Sequence, residues 1–242
     1  MPLDSLSVRE LLAAGVHFGH KVSRWNPKMA PYIYGKRNMV HLIDVRETVR
    51  GLVKAYHFLE NLAKQGQLIL FVGTKRQIKS IIETEARRCG MPFVSERWPG
   101  GLLTNYRTVR SRLNRLIEIE RWETEGILQR FTKKEISKLQ RLKRKLLRNL
   151  DGIRVMEHIP ACVVIVDPAK EAIAVKEANK VGATIVGLVD TDADPDQIDL
   201  VVPCNDDSMK VVQILMGKMA DAVLDGRGKA LGAITTESPE KN

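Results

Sequence analysis

Four segments of this chain are apolar at nearly every position instead of at every second one. They are Leu68-Ile69-Leu70-Phe71-Val72, Val163–Val166, Thr184–Val189 and Leu200–Val202. A strand with apolar residues on both faces must be covered on both faces, as in a parallel sheet sandwiched by helices. The first, second and fourth runs are each followed by a polar turn and a helical pattern, at about 75–88, 169–181 and 207–224, and a short strand is expected at Pro92–Ser95. Strand, turn and helix repeated in this way predict an α/β fold, doubly wound around a mostly parallel sheet. At 242 residues the chain is long enough for one such core plus an insertion.

The insertion falls after the second core strand, between Asn105 and Asp151. This stretch holds 14 Lys/Arg against 6 Asp/Glu, a net +8 in a chain whose total is +10. Val109, Leu113 and Leu116, then Ile136, Leu139, Leu142, Leu146 and Leu150, recur at helical spacing. Two helices with one apolar stripe each can pair as an antiparallel hairpin, which leaves the cations pointing outwards. A solvated helix face is the plain reading of any single charge run. The concentration of charge here favours a polyanion partner instead. The expected division is therefore 1–104 with 152–228 as a discontinuous core, 105–151 as a basic hairpin, and 229–242 as a polar, flexible tail.

Charge is unequal elsewhere too. Residues 17–50 carry 7 Lys/Arg against 2 Asp/Glu, whereas residues 152–242 carry 9 against 15. One side of the molecule is thus suited to nucleic acid and another to proteins. No apolar run approaches the roughly 20 residues that span a bilayer, and the N-terminus lacks a secretory pattern, so no membrane contact and a cytoplasmic location are expected. Cys89, Cys162 and Cys204 lie far apart, which leaves no disulfide framework or zinc ribbon.

Near the N-terminus, Ser7 and Glu10 make a capping box before a short helix, and Gly15 is placed to end it. Pro27, Pro31 and Gly35 predict loops, with room for a short strand pair, before a helix at about 46–64. Val72-Gly73-Thr74-Lys75-Arg76 occupies the place of a phosphate loop but matches neither nucleotide fingerprint. Lys75 and Arg76 remain candidates for an RNA phosphate at that helix start. Asp167-Pro168 reads as a helix cap, and Asp206 and Asp207 precede the last helix. Asp190, Asp192, Asp194 and Asp196 crowd the carboxyl end of a strand, where open α/β sheets bind ligands. A solvated acidic loop is the favoured reading there and a divalent ion the alternative. His17 and His20 lack a third ligand, so no metal and no cofactor are expected. No nucleophile–base pair is legible, which argues against an enzyme. Trp25 and Trp98 each sit beside cations, where a ring can stack on a base or instead pack under a loop.

Taken in order, these segments resemble the bacterial-type small-subunit ribosomal protein family number two. The resemblance is carried by Leu12-Ala13-Ala14-Gly15-Val16-His17-Phe18-Gly19-His20, Trp25-Asn26-Pro27-Lys28-Met29 and Pro31-Tyr32-Ile33. It continues through Phe71–Lys75, Trp98–Asn105, Pro160–Asp167 with Glu177-Ala178-Asn179, Val189-Asp190-Thr191, Asp194-Pro195 and Asn205-Asp206-Asp207, covering residues 6–228. Pro99 and Ala183-Thr184 depart from the family pattern. The resemblance implies a flavodoxin-like domain with a protruding coiled-coil hairpin. It also implies a structural role on small-subunit ribosomal RNA among neighbouring ribosomal proteins, including the large mRNA-binding protein numbered one. It nominates His17, Lys21, Arg24, Trp25, Asn26, Lys28, Arg97, Asn105 and Arg107 for RNA contact. Lys36, Arg37, Lys75, Arg76 and Arg110 are added from charge and position. No homo-oligomer is expected, and a bacterial source fits better than an organellar one. Two other classes compete: an enzyme using a nucleotide or Mg²⁺ at the Asp190–Asp196 edge, and an adaptor that docks proteins on the hairpin.

Overall fold

The computed structural model describes residues 7–236. Ser7 and Glu10 close the capping box of α1 (Val8–Ala14), and Gly15 ends that helix in the left-handed conformation. A three-stranded antiparallel sheet follows, built from β1 (Phe18–Lys21), β2 (Ile33–Arg37) and β3 (Val40–Ile43) in the order β1-β3-β2. It is more regular than the loops and strand pair expected there. Its two-residue turn places Asn38 and Met39 at φ 50° and 60°. Such a turn suits a hairpin, but a methionine at positive φ leaves no signal in a sequence. Asp44 caps α2 (Val45–Lys64) by accepting from the Arg46 amide.

The main sheet contains β4 (Ile69–Val72), β5 (Phe93–Val94), β6 (Cys162–Val166), β7 (Thr184–Val189) and β8 (Leu200–Pro203). All its neighbours are parallel, in the order β5-β4-β6-β7-β8. This is a doubly wound order, with the direction of winding reversing beside β4. Alternate residues divide between two cores. Ile69, Phe71, Val164, Val186 and Leu188 face one layer, formed by α1, α2, α3 (Lys79–Cys89) and α7 (Met209–Thr236). Leu70, Val72, Val163, Ile165 and Ile185 face the other, which holds α6 (Ala172–Val181), the first turns of α4 (Tyr106–Thr124) and the segment from Trp98 to Leu103. α5 (Lys133–Leu150) returns the chain to the sheet.

Three helices differ from expectation at their starts. α3 begins at Lys79 because Thr74 and Lys75 are drawn to carboxylates and the chain turns there first. α6 begins at Ala172, because Asp167 takes φ 61° and its carboxylate accepts from the Lys170 amide, capping a turn ahead of the helix. α7 begins at Met209, and Asn205, not Asp206 or Asp207, accepts the amides of Asp207 and Ser208. α7 also runs past its expected end, through Thr236, so the predicted tail starts inside a helix and its last six residues lie outside the described ones.

Gly51 lets α2 lie directly on β8. A methyl group there would press into the Val201 carbonyl and the Val202 Cα. Ala has better helix propensity by up to about 1 kcal/mol, but overpacking against backbone costs about 1–3 kcal/mol. Gly51→Ala is expected to lower the melting temperature, and an unchanged or raised value would mean that α2 has slack against the sheet.

Candidate nucleic-acid interface

The carboxyl ends of β4, β6, β7 and β8 bring Lys75, Asp167, Asp190 and Asp206 together. Lys75 Nζ lies 2.9 Å from Asp167, 2.6 Å from Asp206 and 2.7 Å from Asp207. Burial lowers the affinity of Lys75 for its proton, but the aspartates outweigh it and hold the pKa above the ordinary lysine value. Asp206, 1% exposed, is pushed up to about 7, first by burial and then by Asp167. Thr74 donates through both its amide and its hydroxyl to Glu171. The crevice where this class of sheet takes a ligand is therefore occupied by the chain's own charges.

The same edge holds the basic N-terminal sheet. The His20 amide donates to Thr191 Oγ1 at 2.9 Å, and the Asn26 amide to the Thr191 carbonyl at 2.8 Å. A side chain at position 19 would meet Thr191 at 2.6 Å, so glycine permits this approach. The His20 ring lies 3.1 Å from Asp190, which raises its pKa to about 9 against the opposing effect of burial, with further help from Asp192 and Asp206. Lys28 pairs with Asp194 at 3.0 Å and Asp196 at 2.7 Å. The acidic loop thus has partners in the arm. Among the described residues, no group of three or more His, Cys, Asp or Glu is arranged to hold a metal ion.

A second junction centres on Glu177 of α6. Its carboxylate accepts from Trp98 Nε1 (3.1 Å), the amides of Gly101 (2.8 Å), Leu103 (3.0 Å) and Thr104 (3.2 Å), and the Thr104 hydroxyl (3.1 Å). Burial pushes this carboxyl up, but the five donors more than compensate and its pKa falls below the ordinary value. The turn leading into α4 is fixed by this one side chain. At the far end of the insertion, Arg154 grips Glu120 of α4 through two 2.8 Å bonds, and the Tyr106 hydroxyl reaches the Met156 carbonyl.

The nominated residues fall into separate groups. Lys21, Arg24, Lys36, Arg37, Arg76, Arg97 and Arg107 are exposed and form no hydrogen bond or salt bridge among the described residues. Lys28 and Lys75 are engaged internally, and Arg110 donates to the Met156 carbonyl at 3.2 Å. Asn26 caps the following turn through the Lys28 amide, and Asn105 accepts from the Thr108 hydroxyl. His17 packs on Phe18 and half-buried Trp25 on His41, with ring centroids 4.1 and 4.9 Å apart. Trp98 is buried on Glu177 and turned away from solvent.

One set of cations lies outside the nominated group. On α5, Lys134, Lys138, Arg141, Lys145 and Arg148 follow one another at spacings of three and four residues, exposed and without a hydrogen bond or salt bridge among the described residues. On α4, by contrast, Arg115 pairs with Glu118 and Arg121 with Glu125, and Lys143 of α5 reaches Glu123. The α5 spacing is legible from sequence. What singles this stripe out is the pairing of its neighbours, which needs the structure.

These features define a class: a doubly wound α/β protein that cancels charge at its ligand edge and displays unpaired cations on a small sheet and a helical arm. The family model for ribosomal protein S2 matches residues 11–226. A relative named small ribosomal subunit protein uS2, from Rhodopirellula baltica, is 54% identical over 222 residues, covering 92% of this chain and 85% of that protein. The chain belongs to the ribosomal protein S2 family, as its motifs led one to expect. That membership makes it a structural component and not an enzyme.

Two measurements probe the junctions. Glu177→Gln is expected to cost about 2–4 kcal/mol in urea unfolding, because an amide cannot accept from all five donors. The depressed carboxyl stabilises the fold above pH 4.5 and loses that effect as pH falls through its folded value, so the variant should lack this acid-side loss. Equal acid sensitivity in both proteins would remove Glu177 from that role. For His20 the sign is opposite. Its contribution, on the order of 2 kcal/mol allowing for solvent screening, is complete below pH 6.5 and disappears as pH rises through about 9. Comparing unfolding of the wild type and His20→Gln at pH 7 and pH 10 should show the gap closing at high pH; a constant gap would contradict the charged pairing.

Proposed function

We infer that this chain is a structural constituent of the small ribosomal subunit that binds ribosomal RNA through two basic surfaces anchored on one α/β core. The carrying observation is the segregation of its cations. Lys28 and Lys75 at the acidic edge are paired, while Lys36 and Arg37 of β2, Arg97 before α4 and the stripe from Lys134 to Arg148 on α5 are left unpaired. Unpaired exposed cations release no internal partner when they meet a phosphate, so their binding free energy is not offset by a broken salt bridge. The contact set on the core side is Lys21, Arg24, Lys36, Arg37, Arg76, Arg97 and Arg107, and on α5 it is the stripe Lys134, Lys138, Arg141, Lys145 and Arg148. His17, Trp25, Asn26 and Asn105 shape its surface, and Lys28, Lys75 and Arg110 contribute by holding it in place.

In this reading the core is flavodoxin-like, spanning 1–104 and 152–228, and residues 105–151 protrude as an antiparallel coiled coil. The apolar stripe of α4 is buried at Val109, Leu113, Leu116 and Ile119, whereas on α5 Ile136, Leu139 and Leu146 are half-buried and Leu142 is exposed. That open side suits a protein neighbour, and the large mRNA-binding protein numbered one is the partner we propose for this family role. No helix among the described residues is long and apolar enough to cross a membrane. The working location is the ribosome of a bacterial cytoplasm.

The test is binding to small-subunit ribosomal RNA across a salt series, alongside sedimentation of the chain with small subunits. Replacing Lys138, Arg141 and Lys145 together by Ala should weaken binding and reduce the salt slope by roughly two, at about 0.7–0.9 per phosphate contact. Replacing the paired Arg115 and Lys143 should change the slope little. If the two variants behaved alike, pairing would not govern which cations bind; if neither the chain nor its variants bound RNA, the whole reading would fall.

A further inference from the structure

We propose that the cavity at the root of the helical arm receives one unpaired guanine nucleotide of the bound RNA, with Arg144 and Arg148 on its phosphates and Glu83 on its base edge. This site deepens the RNA-binding reading above and depends on it. The cavity, about 330 Å³, lies where the chain leaves α5 and returns to the sheet. β5 is only two residues long and forms the edge of the sheet, so its flank needs cover. Gly152 supplies part of that cover, lying so close that a methyl group on it would press into the Phe93 carbonyl and ring. α3 and the last turns of α5 supply the two walls and leave a slot between them.

Most of the charge lining the slot is already paired. Asp151 holds Arg87 at 2.7 Å and Arg154 at 2.8 Å, and Glu96 holds Lys79 at 2.7 Å. What remains is Arg144 and Arg148 on the α5 wall and Glu83 on the α3 wall. Both arginines are exposed and form no hydrogen bond or salt bridge among the described residues. Glu83 is half-buried and accepts from the buried Ser95 hydroxyl at 2.6 Å, with no Lys or Arg partner among the described residues. A carboxylate held by one neutral donor keeps most of its acceptor capacity. Phe93, Val94 and Leu147 add apolar surface to the slot, and the Arg87 guanidinium lies over the Phe93 ring, 5.0 Å from its centroid. A guanidinium plane of this kind stacks well on a base.

Arg148 ends the unpaired line of cations that begins at Lys134, so a phosphate backbone following that line arrives at the mouth of the cavity. Arg144 stands one turn before it, roughly 6 Å along the axis, and the two can hold the phosphates on either side of one nucleotide. Unpaired RNA is read by bases splayed from the stack, laid on a planar side chain and hydrogen-bonded along the Watson–Crick edge. Glu83 can only accept, so the donors on that edge decide which base enters. Guanine presents a ring N–H and an amino group side by side. Adenine and cytosine set a single amino group beside an acceptor, and uracil sets its one N–H between two carbonyl oxygens that a carboxylate repels. An acidic peptide would satisfy the arginines but would bring a second anion to Glu83.

The experiment uses the full chain with three probes: an oligouridine, the same oligouridine with one central guanosine, and free GMP. Wild type should prefer the guanosine probe over oligouridine by about five- to a hundredfold and bind GMP far more weakly than either. Glu83→Gln still accepts from Ser95 but meets guanine with an amide, and should lose the preference with an unchanged salt slope. Leu147→Trp fills the slot and should lose it too, whereas Glu96→Gln, at a carboxylate that Lys79 already holds, should keep it. Replacing Arg144 and Arg148 together by Ala should weaken both oligonucleotides and lower the salt slope by roughly 1.4, at about 0.7 per phosphate on a single strand. Melting curves within a few degrees of wild type identify variants that fold. A wild type indifferent to guanosine, or a preference that survives both Glu83→Gln and Leu147→Trp, would overturn the site while leaving RNA binding by the cations intact. GMP binding as tight as that of the guanosine probe would assign the cavity to a free nucleotide and overturn the RNA source. Absence of binding to small-subunit ribosomal RNA by the wild type would instead defeat the reading on which the site depends.

Discussion

Lys75 is the charge on which the carboxyl edge of the sheet depends. Asp167, Asp206 and Asp207 converge on its ammonium group, and Asp206 is almost wholly out of water. Two carboxylates this close repel, and burial compounds the cost of ionising them. A half-buried cation with three carboxylate partners makes the cluster tolerable; removing it would leave uncompensated charge at Asp206, which is far costlier than losing a surface ion pair. The position is also where a doubly wound fold ordinarily receives a phosphate. In this chain a lysine and its aspartates take that space, and the edge works as a joint.

What the joint attaches is the basic N-terminal sheet. Thr191 presents its hydroxyl and carbonyl to the amides of His20 and Asn26, and Asp190, Asp194 and Asp196 supply charge opposite His20 and Lys28. Glu177 does the equivalent for the helical arm, organising the turn from Trp98 to Thr104 with one carboxylate. The acidic excess of the C-terminal part thus has a mechanical meaning. Several of its carboxylates sit at the roots of two basic elements whose outer surfaces remain cationic. A charge-free anchor would hold the arms as well, but would not keep the outward field positive while neutralising the cations at the roots.

The parallel sheet, its covering helices and the existence of the insertion were legible because buried parallel strands and amphipathic helices write their periods directly into the chain. Helix starts were less so. Thr74, Asp167 and Asp206 each exchange the expected local role for another, and a single sequence does not reveal Glu171 or Lys75 as the competing partner. The small sheet was only partly legible because its turn uses Asn38 and Met39 at positive φ and its strands are only four or five residues long. For the site, residue type alone selected a region but could not separate paired from unpaired cations. Lys28 and Lys75 look in sequence like Lys36 and Arg76, yet the first two face aspartates and the others face solvent.

That distinction limits what net charge can say about affinity. The insertion carries 14 Lys/Arg, but Arg115, Arg121 and Lys143 already have carboxylate partners and Arg110 a carbonyl. A paired cation can reach a phosphate only by abandoning its glutamate, which exchanges one anion for another and releases fewer counterions from the complex. The salt dependence of RNA binding should therefore follow the unpaired stripe on α5 and the exposed cations of the small sheet more closely than the formal charge of the arm. The glutamates of α4 and the basic stripe of α5 then have complementary effects. The first neutralise Arg115 and Arg121 within α4 and, through Glu123 and Lys143, tie α4 to α5. The second offers a line of charge from Lys134 to Arg148, about 21 Å long at roughly 1.5 Å per helical residue. A rigid line of that kind is matched by a rigid stretch of phosphate backbone, so the order imposed inside the arm lowers the entropy lost when the RNA binds.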